Sequence, residues 1–149
     1  MKLMKSFEEF IRMRIVKKQT PDIPRARFLV KESENSYNNL LEMIDKLNIN
    51  DNNANIFVKS CYDILMELIR AKMLLDGYSA SGFGAHEAEI SYMRILGFDE
   101  KNVQFLDQIR YFRNGIVYYG TALDKEYAEK VLNFINKIYP KLTKLLEKS

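Results

Sequence analysis

The segment from Phe57 to Met73 limits the fold more than any other. Phe57, Cys61, Ile64, Leu65, Leu68, Ile69 and Met73 recur at three- and four-residue steps, the period that lines side chains along one face of an α-helix. A half-buried strand would need apolar residues at every second position, and no segment sustains that alternation. The spacing predicts a helix over 54–76. Gly77 supplies the stop, because glycine takes the left-handed conformation that ends helices.

The same reasoning places helices elsewhere. Ser6-Phe7-Glu8-Glu9 forms a capping box, in which Ser6 accepts from a helix-start amide and Glu9 reaches back. A first helix is predicted from there to about Lys18, with Phe7, Phe10, Ile11 and Ile15 in phase, and Pro21 and Pro24 forbid its continuation. A second is predicted from near Arg25 to about Leu47, with Tyr37, Leu40, Leu41, Ile44 and Leu47 as its stripe. A short helix over about Ala85 to Leu96 ends at Gly97. The next begins after Asp99 and carries Val103, Leu106, Ile109, Phe112, Ile116 and Val117. Thr121 or Asp124 can cap the last, whose stripe of Val131, Leu132, Ile135, Ile138, Leu142 and Leu145 is interrupted by Pro140, predicting a kink or end near Asn136 to Tyr139. The fold expected is all-α: an antiparallel up-down helical bundle over 25–149, preceded by an extra N-terminal helix and Pro-containing linker in 1–24.

With 149 residues, 47% apolar and 12% aromatic, the chain can bury one real core. No apolar run approaches the roughly 20 residues that cross a bilayer, and Met1-Lys2-Leu3-Met4-Lys5 leads into alternating charge rather than a signal-peptide core, so a cytoplasmic protein is expected. Cys61 is the single cysteine, which excludes an intrachain disulfide or a thiolate zinc cage and suggests a small buried hydrophobe. The net charge of +3 hides an asymmetry, since residues 1–31 hold nine Lys or Arg against three acids. This basic arm, including Arg12, Arg14, Lys17 and Lys18, could meet phosphate backbones or an acidic partner, or could be a solvated helix face.

The loop Gly77-Tyr78-Ser79-Ala80-Ser81-Gly82-Phe83-Gly84 reads as a flexible connector. No Lys-Ser/Thr follows its glycines and no strand precedes them, so it lacks the context of a P-loop or a dinucleotide fingerprint. His86, the single histidine, falls at the predicted start of the fourth helix, where a structural or capping imidazole is the bland reading. One histidine among scattered carboxylates indicates no transition-metal site, and no cofactor is expected.

The run Arg110-Tyr111-Phe112-Arg113-Asn114-Gly115-Ile116-Val117-Tyr118-Tyr119-Gly120 resembles the motif of the HEPN family, all-helical nucleotide-binding and ribonuclease domains that carry Arg-Asn followed by a histidine late in a bundle helix. Arg113 and Asn114 match it. The positions where the family's histidine falls are Tyr118, Tyr119 and Gly120, so the imidazole is missing. The similarity covers residues 25–148, and the segment from Leu74 to His86 supports it more loosely.

In active members, the resemblance implies, two protomers bring an Arg and a His together in a metal-independent ribonuclease site. Histidine suits that work because an imidazole with a pKa near 6.5 can take the proton of a ribose 2′-hydroxyl, while arginine steadies charge on the phosphate. Arg113 can still do its part. Tyr118, a phenol with an ordinary pKa of about 10, is a poor base at neutral pH, so little or no cleavage is expected.

Arg110, Asn114, Tyr119 and His86 complete the candidate binding set. Against this stands a plainer reading, with Arg113 clamped to Asp107 or another acid to fix helix packing, and with Tyr111, Tyr118 and Tyr119 as core-edge residues. Gly115 costs helix propensity and hints at close approach of another backbone or ligand, hence a homodimer contact. The functions expected are a noncatalytic module that dimerises and binds RNA, a nucleotide or a protein partner, a weak ribonuclease using Arg113 and Tyr118, with His86 of a neighbouring protomer as a further candidate, or a pure protein-interaction bundle. The resemblance adds a nucleotidyltransferase as a partner in a toxin–antitoxin pair.

Overall fold

The computed structural model describes residues 3–147. The strong apolar period of the central segment becomes α3, Ala54–Asp76, which ends at Gly77 in the left-handed conformation (φ 86°). Thirteen of its side chains are buried, because neighbours cover it on nearly every side. It packs against α2 (Ile23–Leu47), α4 (Ala85–Ile95), α5 (Glu100–Tyr119) and α6 (Lys125–Glu147). α2 and α3 are joined by a turn in which the side chains of Asn50 and Asn53 bond the local backbone, and so they run antiparallel. With α1, Phe7–Arg12, these helices make an all-α bundle. One hydrophobic cluster draws buried residues from all six helices. Among the described residues, no helix is long and apolar enough to cross a membrane.

Caps set most boundaries where the sequence places them. Ser6 accepts from the amide of Glu9 at 3.2 Å, Asp99 from Asn102 at 3.1 Å, and Asp124 from Tyr127 at 2.8 Å. Three expectations need correction. α1 stops at Arg12 instead of continuing to Lys18, because Arg14 turns into the left-handed region (φ 61°) and Val16–Lys18 forms a strand, β1. β1 pairs antiparallel with β2, Tyr78–Ala80, so the glycine loop is partly an ordered ribbon rather than a plain connector. Three-residue strands are too short to show a period. Finally, of the kink or end expected near Asn136 to Tyr139, the end does not occur, since α6 continues through Pro140 to Glu147. Pro140 and Asn136 both lie on the exposed face, where water can serve the Asn136 carbonyl that proline leaves unbonded.

α2 also begins earlier than the sequence suggests. Pro24 stands in its first turn, where a missing amide proton loses nothing, and Asp22 accepts from Arg25 at 3.2 Å. The N-terminal residues are tied down as well. Phe7 packs on Tyr78 and Tyr92 at ring distances of 5.1 and 4.7 Å, and the Arg94 guanidinium donates to the carbonyls of Met4 and Lys5.

Candidate functional site

Burial of Val103, Leu106 and Ile109 fixes the rotation of α5 about its axis, and this turns Arg110 and Arg113 toward α3 and the start of α4. Arg113 lies over the ring of Tyr62, with Cζ 5.7 Å from the ring centre. Its Nη2 reaches the Asp63 carboxylate at only 3.7 Å, and its Nε is buried without a hydrogen-bond partner. The side chain as a whole keeps 24% of its surface exposed, so the covered Nε and the open end belong to one fork.

Tyr62 is almost wholly buried, and burial pushes its hydroxyl well above the ordinary phenol range, against the lowering influence of Arg110 and Arg113. Its hydroxyl oxygen lies 3.4 Å from Nδ1 of His86, the second residue of α4. Asp63 is raised by burial, and the charges of Arg113 and His86 both oppose that rise. One guanidinium, one imidazole, one phenol and one carboxylate therefore share a patch assembled from α3, α4 and α5.

Arg110 is more fully engaged. Its Nε donates to Asp107 at 2.8 Å, and its Nη1 lies 3.9 Å from Glu87. Of the two partners the plainer reading allowed Arg113, Asp107 or another acid, Asp107 pairs with Arg110 and the other acid is Asp63. Behind the patch, Arg70 holds Glu89 through two bonds of 2.6 and 2.9 Å. Glu89 is buried, so this pair locks α4 against α3 and fixes where His86 stands.

Tyr118 and Tyr119, in contrast, stand 70% and 85% exposed at the end of α5. Tyr118 is five residues past Arg113, about 140° around the helix, and the structure does not bring the two together. Asn114 is half-buried beside Arg113. Gly115 makes its close approach within the chain: a Cβ there would stand 3.0 Å from the Thr121 hydroxyl, and its carbonyl accepts from Thr121 at 3.2 Å. Arg12, Arg14, Lys17 and Lys18 are exposed on the end of α1, the following turn and β1. Cys61 is buried, which pushes its thiol up to about 12 and leaves it unreactive.

No family model, no curated protein and no solved structure matches the chain. The site stands on its own geometry. Among the described residues, no group of three His, Cys, Asp or Glu side chains is placed to hold a metal ion. A cleft of about 1100 Å³ between α2, α3 and α6 is lined by Arg27, Lys31, Glu34 and Tyr139 and does not include Arg113.

Sequence reasoning missed Tyr62, Asp63, Arg70 and Glu89. A signal was present for α3: Lys59, Asp63, Glu67 and Arg70 follow one another at three- and four-residue steps, a polar stripe on the most apolar helix of the chain.

Proposed function

We propose that the chain is a cytoplasmic, catalytically degenerate module of the HEPN type that holds RNA by its phosphates without cutting it. The observation that carries the reading is the state of Arg113. Its Nε is buried without an acceptor, which is unfavourable by about 1–3 kcal/mol, while the exposed Nη end of the same guanidinium is where an oxyanion from solution can seat. The planar fork suits a phosphate, since two parallel donors meet two oxygens. Tyr62 beneath the guanidinium holds it in place, which lowers the entropy lost when a ligand binds. Dimerisation and a nucleotidyltransferase partner follow from the resemblance alone, and light scattering at working concentration tests the first.

The test is binding of a single-stranded RNA oligomer followed by fluorescence anisotropy. Removing one charge-assisted hydrogen bond weakens binding by about ten-fold or more, so Arg113→Ala is expected to do so and to lower the salt slope by about one. Lys130→Ala, an exposed cation on α6, serves as the control. Equal affinity for wild type and Arg113→Ala would remove the reading, and binding that ignores salt would favour a protein-interaction bundle instead.

A further inference from the structure

A buried hydroxyl needs an acceptor for its proton. Tyr62 is 1% exposed, and its hydroxyl lies 3.4 Å from Nδ1 of His86. Two arrangements fit that distance. If Nδ1 carried the hydrogen, the Tyr62 oxygen would accept it, and the phenol's own proton would be stranded inside the bundle. If the phenol donates instead, both groups are satisfied. Burial keeps the phenol protonated, so it has that proton to give. A neutral imidazole whose Nδ1 accepts carries its hydrogen on Nε2. His86 is exposed, so its outer nitrogen remains available.

We propose that His86, fixed by Tyr62 as the Nε2–H tautomer, is the second donor of the Arg113 site and gives that hydrogen to an oxygen of a bound phosphoryl group. The inference rests on the anion-binding reading of Arg113 and adds to it a named partner within the same chain. Arg113 and His86 meet the same phenol: the guanidinium Cζ is 5.7 Å from the Tyr62 ring centre, and Nδ1 of His86 is 3.4 Å from its hydroxyl. Tyr62 is the positioning residue, acting on the ligand only through the ring it orients. In this tautomer His86 is a donor and not a base. Its free lone pair is on Nδ1, already engaged by Tyr62, so Nε2 has a proton to donate and none to take.

The single histidine makes the test direct. In a long-range proton–nitrogen NMR spectrum of the whole chain at about pH 8, where an ordinary imidazole is neutral, Nδ1 is expected to be pyridine-like and Nε2 pyrrole-like. Tyr62→Phe keeps the ring in the core, removes the donor, and is expected to give a mixture of tautomers, an effect that a merely structural role for Tyr62 would not produce. Titration then uses inorganic phosphate, a nucleoside monophosphate and a single-stranded RNA oligomer. Wild-type Nε2 is expected to shift on saturation, and His86→Ala to weaken calorimetric affinity by about ten-fold.

A response to all three ligands identifies the phosphoryl group itself, and a response to RNA alone identifies a phosphodiester within a strand. Either supports the donor role. An Nδ1–H tautomer in the wild type overturns the inference whether or not Tyr62→Phe folds. Arg113-dependent RNA binding with a silent Nε2 overturns it while leaving the underlying reading intact. No binding of any of the three by wild type removes both.

Discussion

In the proposed anion site, Asp63 would compete with an incoming anion at the Arg113 fork, because it already lies 3.7 Å from Nη2. Burial raises its carboxyl, so the folded state holds that proton more tightly than the unfolded chain does, and this contribution to stability fades as pH rises through the group's titration. Replacing the carboxylate by an amide of similar shape removes a like charge from the path of a phosphate. Asp63→Asn is expected to tighten RNA binding by about three-fold, the scale of a half-exposed charge interaction, and weaker binding in the anisotropy assay would contradict the assignment. Arg113 itself is singled out in the sequence by the run of residues around it. Its ring support and its carboxylate are not, since Tyr62 and Asp63 come from a helix about fifty residues earlier and only packing brings them near.

Among the elements, the ribbon of β1 and β2 is hidden from sequence, whereas α3 and α5 are legible nearly to the residue. Long helices announce themselves through period and caps. A pair of three-residue strands is held by partners about sixty residues apart and leaves no period to read. The ribbon depends on Gly77, whose surroundings are so tight that a Cβ would stand 2.8 Å from the Gln19 carbonyl oxygen at φ 86°. Gly77→Ala is therefore expected to lower stability by about 2 kcal/mol or more in urea unfolding. Gly82→Ala, with a similar φ of 81° and open space around it, carries only the conformational strain of about 1 kcal/mol. Equal losses in the two variants would show that the close approach is unimportant.

The same ribbon fastens the basic arm near the site. Ile15 accepts from the amide of Ser81 at 3.0 Å, and its side chain lies against Gly84, two residues before His86. Exchanging Arg12, Arg14, Lys17 and Lys18 together for Gln is expected to flatten the salt dependence of RNA binding by roughly one unit of slope for each phosphate no longer neutralised. An unchanged slope would leave the arm as solvated surface.

For the molecule as a whole, one core joins all six helices, and a polar clasp closes its N-terminal side. Arg94 bonds Glu100 through two hydrogen bonds of 2.8 and 2.6 Å and donates to the carbonyls of Met4 and Lys5. The guanidinium, with help from Gln104, holds the Glu100 carboxyl down at about 2. A depressed carboxyl stabilises the fold above its unfolded value of about 4.5, and that contribution is lost as pH falls toward 2. Glu100 is half exposed, so about 1 kcal/mol is expected after solvent screening. Wild type should lose that much more stability than Glu100→Gln across this window, and parallel acid-unfolding curves would refute the clasp. The helical class and core are open to sequence because burial follows period. The clasp is not, since a bond between Arg94 and the carbonyl of Met4 spans the chain and leaves no local pattern.

The central claim is that a guanidinium beside a donor imidazole binds the RNA backbone but does not cleave it. Incubation of purified protein with single-stranded RNA at neutral pH, with chelator present and products resolved on a gel, tests it most directly. The account predicts RNA that is retained by wild type, released by Arg113→Ala and intact throughout. Rapid scission by wild type that disappears in Arg113→Ala would contradict it.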